Sequence, residues 1–513
     1  MKYVLHSCII AITLLFLNCH NLASESRATD SVEIEFKHGI ASGDPLEDAV
    51  IIWTKVTPIT PIDSLEVIWE MASTPRFEEI LKSGKALTTA EKDYTLKVDV
   101  TGLNPGTYYY YRFKNGKNIS PIGRTITAPS RADSLRFAVA SCSNYEWGYF
   151  NAYGRIAEEE NLNAVIHLGD YIYEYGNGVY GDTTIGRLHV PKHEILTLSD
   201  YRTRYAQYRE DQDLQAMHAN HPMIAIWDDH EITNNAYIDG AQNHQPQEGD
   251  YEKRKAIAKQ VYYEWMPIRE SEHLYRDFNF GNLANLYMLD ERLAGRTKQA
   301  DSLEDPTLYD DDRSMLGKEQ FNWLLNELDE SETTWNIIGN QVIFSYQNWA
   351  YENFTFNLDG WDGYPVEQKK LVEEIKSRNV DNLIFVTGDT HTSWAFESTN
   401  NPFEGYNPTT GEGAIAIDRG VTSINSANAN ESRTDEEVRA HEKKVVKPEF
   451  NPHLKYVNMR DHGYLLLSLY PSWGKAEFKT IATTREPDST VKTDRTFKFD
   501  AGSQKLQEVA TSN

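Results

Sequence analysis

The sequence predicts a layered α/β domain preceded by an all-β sandwich, and three observations carry that prediction. Four apolar runs end in residues of metal-ligand type: Phe137-Ala138-Val139-Ala140-Ser141-Cys142, Ala164-Val165-Ile166-His167-Leu168-Gly169-Asp170, Met223-Ile224-Ala225-Ile226-Trp227-Asp228-Asp229-His230 and Leu383-Ile384-Phe385-Val386-Thr387-Gly388-Asp389-Thr390-His391. From residue 135 such runs alternate with helical patterns, the sign of a layered α/β unit. Residues 36–127 instead carry short strand signals with turn residues between them, which suggests a sandwich. Short continuous apolar runs read as strands buried on both faces, and open α/β sheets collect ligand sites at the carboxyl ends of their strands. One crevice is therefore expected to receive Cys142, Asp170, Asp229, His230, Asp389 and His391. Buried like charges are costly at low dielectric, so this gathering calls for cations, and two ions are expected.

The elements follow in order. Lys2 supplies a short positive region and residues 4–17 an apolar stretch, too short and too early for a membrane span. Residues 1–23 are expected to be an export signal cleaved after Ala23. The alternative is a lipoprotein signal ending before Cys19, with that cysteine as lipid anchor, although Phe16-Leu17-Asn18 is a poor match to a lipobox. There is no twin-arginine pair, which favours the general secretory route. The protein is thus expected to be exported: periplasmic, extracellular or an outer-envelope lipoprotein. The β-sandwich is expected over residues 32–128, from strands at 49–54, 65–70, 94–100 and 107–113, where the string 103–112 looks like the late corner of a fibronectin type III-like domain; residues 121–134 read as a linker. The α/β domain is expected over residues 134–485. It opens on a crossover helix at 152–161, continues with an amphipathic helix at 251–270 ended near Pro267, and adds strands at 284–289 and 335–338 to the same sheet. An aromatic, helix-poor insert at 345–365 reads as a loop over the site. A polar, mobile-looking segment follows at 425–449, then a closing strand at 464–470. Residues 486–513 read as a solvated C-terminal tail.

Composition narrows the function. The 513 residues include 30 Tyr, 19 Phe and 11 Trp, ample for a large core, and 51 basic against 77 acidic residues give a net charge of −26. Such a balance argues against electrostatic binding of nucleic acid or anionic membranes. A phosphate-bearing substrate then needs local positive charge from ions or a few arginines. Of three cysteines, Cys8 leaves with the signal and Cys19 is removed or lipidated, so Cys142 stands alone. An exported protein with one thiol at a strand end, among five other ligand-type residues, points to a metal thiolate rather than an inert core cysteine.

Asp170 and Tyr173 lie three apart just past a strand end, where both can turn to one ion; Tyr171 and Tyr175 are alternatives. A phenolate needs its pKa, normally about 10, pulled down by a strongly charged neighbour. In Asp228-Asp229-His230-Glu231, Asp229 suits an ion, and His230 is placed to protonate a leaving oxygen or hold the phosphoryl group; the competing reading is a salt-bridged loop. Asp389 and His391, two apart after a strand, can both face a metal. His167 lies inside its strand and reads as a hydrogen-bonded core residue. Arg292 either clamps phosphate oxygens bidentately or pairs with one of the many acids.

Gly169-Asp170-Tyr171-Ile172-Tyr173-Glu174, the box Trp227-Asp228-Asp229-His230-Glu231 with Asn234-Asn235, Trp361-Asp362-Gly363-Tyr364-Pro365 and Gly388-Asp389-Thr390-His391 together resemble the alkaline phosphatase D (PhoD) family, a branch of the calcineurin-like and purple-acid-phosphatase-like metallophosphoesterases. Gly39-Ile40-Ala41-Ser42-Gly43-Asp44-Pro45 and Asn451-Pro452-His453-Leu454-Lys455-Tyr456-Val457 resemble it too, so the likeness spans about residues 36–470. It implies an α/β layered metallophosphoesterase catalytic domain preceded by an all-β fibronectin/Ig-like sandwich. It further implies Fe3+ on Cys142, Asp170, Tyr173 and His391, with Ca2+ on Asp170, Asp229 and Asp389 and, more weakly, Asn340; thiolate and phenolate suit ferric iron, and carboxylates in place of nitrogen favour Ca2+ over Zn2+ or Mg2+. At Asp290-Glu291-Arg292 the chain departs from the family pattern, which leaves the Arg292 role open. The implied activity is an alkaline phosphatase acting on small phosphomonoesters by attack of a metal-held hydroxide, with some phosphodiesterase activity, as a monomer. Two alternatives stand beside it: a phosphodiesterase or phospholipase D-type hydrolase, and a calcium-dependent cell-surface binding protein.

Overall fold

The computed structural model describes residues 33–510, so the expected signal and Cys19 lie outside the described residues. Among these residues no helix is long and apolar enough to cross a membrane.

Two sheets carry the molecule. In the ten-stranded sheet the spatial order is Gln507–Val509, Val491–Asp500, Trp473–Ile481, Gly463–Leu469, Leu135–Ala140, Ala164–His167, Pro222–Ala225, Ile40–Gly43, Ala49–Lys55 and Thr95–Thr101. Three of the four ligand-bearing runs are its parallel centre, with Phe137 opposite Ala164 and Val165 opposite Met223. The fourth, Leu383–Thr387, lies in a seven-stranded sheet between Trp335–Asn340 and Ala416–Gly420, parallel to both. The expectation of one common sheet is therefore corrected. Apolar runs identify strands but not their pairing partners.

The sheets pack face to face. The Phe137 ring lies 4.9 Å from Phe280, Tyr456 4.9 Å from Phe478 and Trp335 5.4 Å from Phe499. Helices Gly317–Glu330 and Pro365–Ser377 cover the outer face of the seven-stranded sheet, setting Leu324, Leu328, Leu371 and Ile375 against Tyr287, Ile338 and Phe385. Helices Asn151–Glu158, Gln212–Asn220 and Tyr251–Trp265 add Ile156, Leu214 and Val261 to the core of the other. Both sheets thus send parallel strand ends to one region, as the α/β rule requires.

Four segments differ from expectation. The N-terminal sandwich shares a sheet with the α/β region: Ile40–Gly43 pairs in parallel with Pro222–Ala225. Gly43 is required at that join, because a Cβ there would lie 2.2 Å from the Pro267 carbonyl oxygen. The opposing layer is a five-stranded sheet that includes Ser64–Ala72 and Tyr108–Asn115, and packs Val67, Met71 and Tyr111 on Val50 and Ile52. Residues 121–134 contain one of its strands, Gly123–Ile126, rather than a linker. The expected solvated tail holds Val491–Asp500, paired along its length with Trp473–Ile481 and burying Phe497 and Phe499; its period-2 signal is confined to those two phenylalanines among charges. Residues 425–449 include the helix Asp435–Val445, started by a capping box between Thr434 and Glu437.

Candidate active site

The ligand-bearing strands end in abrupt turns. Cys142, Asp170, Asp389 and His391 all adopt left-handed backbone, with φ of 61°, 55°, 60° and 54°. Each such residue costs about 1–2 kcal/mol, and four at one centre mark a place where geometry has been held against strain. Gly169 (φ 99°) makes the close approach feasible, since a Cβ there would fall 2.3 Å from the Asp228 nitrogen. Glu231 ties the same two turns together, accepting from the backbone N–H groups of Asp170 (3.0 Å), Tyr171 (2.7 Å) and Asp228 (2.9 Å).

Two groups of ligand-type atoms result. Cys142, Asp170 and His391 bring one atom each to within 4.8 Å of one another, as do Asp170, Asp229 and His230. Asp170 belongs to both. Tyr173 joins the first group: its hydroxyl donates to Asp170 Oδ2 (2.9 Å) and lies 3.0 Å from His391 Nε2. His391 Nδ1 stands 2.7 Å from the Ala427 carbonyl; donating there fixes the tautomer and turns the Nε2 lone pair to the group.

Burial resists ionisation throughout. It pushes the Cys142 thiol well above its usual range, helped by Asp170, and does the same to the Tyr173 phenol. Burial raises Asp170 as well, against the pull of His230, and lifts Asp389 to about 7. Asp229 is held low despite burial, by His230 and Arg292. Oxygens Asp228 Oδ2 and Asp229 Oδ1 are buried with no hydrogen-bond partner among the described residues. Protonated thiol and phenol beside orphaned carboxylate oxygens fit a cation, which reverses the local pKa logic when bound.

His230 is held on three sides. Its Nδ1 lies 2.6 Å from Glu174 Oε2, its backbone N–H donates to Asp170 Oδ1 (3.3 Å), and its ring packs 4.1 Å from that of Tyr173. Burial disfavours the imidazolium, but Asp229, Glu174 and Asp170 outweigh it and raise its pKa well above 6.5.

Other expected residues are placed differently. Arg292 is fully buried, and its guanidinium is spent on acids: Nε to Asp228 Oδ1 (2.5 Å), Nη1 to Asp359 Oδ2 (2.7 Å) and Nη2 to Asp389 Oδ1 (3.4 Å). The phosphate-clamp reading gives way to a structural one. Asp389 is in neither 4.8 Å group, but it faces Arg292 and lies close enough to Asp229 for that carboxylate to help raise its pKa. Asn340 is also corrected: its amide donates to the Val342 carbonyl and its Oδ1 accepts from Trp361 Nε1 (3.3 Å), so it braces the insert. His167 is a core residue as expected, 2.7 Å from the Tyr153 hydroxyl. The insert is anchored beside the centre as well as bordering it. Asp359 pairs with Arg292 and Arg296, and Trp361 donates to Glu291 Oε1 (2.6 Å).

Three acids escaped the sequence reading: Glu174, Glu231 and Glu291. Glu291 Oε2 accepts from the Gln341 and Val342 N–H groups, fastening the turn after Trp335–Asn340. Each stands within a quoted string beside a singled-out residue, and that adjacency was the available signal.

Residues 137–478 match the PhoD-like phosphatase family, and residues 21–129 match the N-terminal domain of PhoD-like phosphatases. Alkaline phosphatase D of Bacillus subtilis (strain 168) is 36% identical over 509 residues, covering 93% of this chain and 83% of that protein. A solved structure of PhoD superposes with a TM-score of 0.83 at 35% identity, covering 93% of this chain and 92% of that one. The protein is thus a phosphoric ester hydrolase with a β-rich N-terminal part and an α/β catalytic part. The chain belongs to the PhoD-like phosphatase family.

Proposed function

We propose that the protein is an exported, metal-dependent alkaline phosphatase that hydrolyses small phosphomonoesters as a monomer, with phosphodiesterase side activity. The sharing of Asp170 by two abutting ligand groups carries this reading, and the −26 charge supports it by disfavouring nucleic acid. Cys142, Asp170, Tyr173 and His391 would hold Fe3+, whose charge suits thiolate and phenolate. Asp170, Asp229 and Asp389 would hold Ca2+. Ions bound there would offset the buried acids and supply Lewis-acid polarisation of a phosphoryl group. His230, oriented by Glu174, then presents Nε2 to give a proton to the leaving oxygen, and Asp170 positions both His230 and Tyr173.

Two measurements test this. The protein is expected to hydrolyse a small aryl phosphate faster than its bis-aryl diester at alkaline pH, because a two-ion centre favours the dianion, and a calcium chelator should suppress the activity. A preference for the diester of about tenfold, roughly 1.4 kcal/mol, would make the phosphodiesterase reading the better one. Cys142→Ser is expected to release iron far more readily than calcium, since a hydroxyl is the poorer ferric ligand. Elemental analysis showing equal retention of both metals would return Cys142 to a packing role.

A further inference from the structure

A cleft of about 820 Å³ is lined mainly by residues 298–304 and 352–359. Two of its lining residues reach the centre directly. The Asn235 N–H donates to Asp229 Oδ2 (2.5 Å), and Asp359 pairs with Arg292. The cleft thus borders the centre on its Asp229 side, through Asn235.

We propose that the cleft is the leaving-group subsite of the phosphatase, and that it selects an alcohol carrying an alkylammonium group. The proposal rests on the phosphomonoesterase reading and adds its substrate class. Four carboxylates line the cleft, those of Asp301, Glu304, Glu352 and Asp359, against the single ammonium of Lys298. Lys298 is already paired with Asp301 (2.8 Å) and Asp359 with two arginines. Glu304 and Glu352 are exposed, and among the described residues neither lies in an ion pair. Aromatic faces accompany them. Phe354 is 44% exposed yet braced against Trp349, with ring centroids 5.6 Å apart, and Phe356 is braced against Tyr346 at 5.3 Å. Carboxylates and fixed aromatic faces in one cleft attract an organic cation through charge and ring quadrupole together, whereas a second phosphate in the alcohol would meet net repulsion. In the reaction water's oxygen bonds to phosphorus, the ester P–O bond breaks, and the aminoalcohol departs protonated at oxygen.

The test compares two esters of equal shape, choline phosphate and 3,3-dimethylbutyl phosphate, whose alcohols differ only in the positive charge. The wild-type protein is expected to favour the choline ester in kcat/KM by about tenfold at low salt, the order expected of several carboxylates acting through water. That ratio should fall towards one near 1 M salt, where the screening length is about 3 Å. Glu304→Gln with Glu352→Gln should lower it to about threefold or less. Because the readout is a ratio on one protein sample, a general loss of activity cancels. A wild-type ratio within about twofold of one, a preference for the neutral ester, or a ratio unmoved by the double substitution would overturn the subsite. Turnover of an aryl phosphate alongside any of these would leave the phosphatase reading standing, and no turnover of any ester would remove both.

Discussion

Asp170→Asn is expected to leave less than about a tenth of wild-type phosphate-ester turnover without loss of thermal stability in metal-free protein. Asp170 is the one residue common to both ligand groups, and it also accepts hydrogen bonds from the Tyr173 hydroxyl and the His230 backbone. The amide keeps the shape and one accepting oxygen but removes the charge that both groups require. Stability should move the other way. Burial raises the Asp170 pKa, with Asp229, Asp228 and Glu231 adding repulsion, and His230 opposes them. A carboxyl whose folded pKa exceeds its unfolded value destabilises the fold as pH rises above the unfolded pKa, near 4. At pH 8 the metal-free amide variant should therefore melt at the same temperature as wild type or higher. Assay and melting curve together decide the matter: retained turnover sinks the shared-residue reading, and lost turnover with a lowered melting temperature would mark a folding defect instead.

The strands and the residues at their ends were legible because both signals are local. Val139, Ile166, Ile224 and Phe385 are β-formers in short runs, and the residues after them fall at strand ends whatever sheet the strand joins. Cys142, Asp170, Asp229, His230 and His391 could therefore be gathered before any pairing was known. Pairing itself was not legible. Nothing in Leu383–Thr387 says that it lies in a different sheet from Leu135–Ala140, and the union of Ile40–Gly43 with Pro222–Ala225 depends on contacts across some 180 residues. The roles of Arg292 and Asn340 were hidden for the same reason. A guanidinium in a sequence advertises affinity for anions, and only the fold reveals that Asp228, Asp359 and Asp389, from three distant segments, have already supplied them.

Arg292→Met is expected to destabilise the metal-free fold by about 3–5 kcal/mol at pH 8, the range measured when one partner of a buried ion network is deleted. Methionine fills much of the stem volume, so the loss is electrostatic in origin. Arg292 is fully buried, 2.5 Å from Asp228, 2.7 Å from Asp359 and 3.4 Å from Asp389, with Asp229 at 3.9 Å. Burial already pushes Asp228 up to about 8 and Asp389 to about 7 in spite of the guanidinium. Without it both should rise further, so the penalty grows from near pH 4, the ordinary carboxylate value, through the raised folded pKa values. Urea unfolding at pH 5 and pH 8 separates the possible origins. A loss that is small at pH 5 and large at pH 8 identifies uncompensated carboxylates, whereas an equal loss at both would assign Arg292 to packing alone. Arg292→Lys should recover only part of the deficit, since one compact ammonium cannot span carboxylates that the planar fork reaches from three sides. Calcium added to the methionine variant should restore stability more than it does in wild type, because it would meet acids that have lost the cation shared among them.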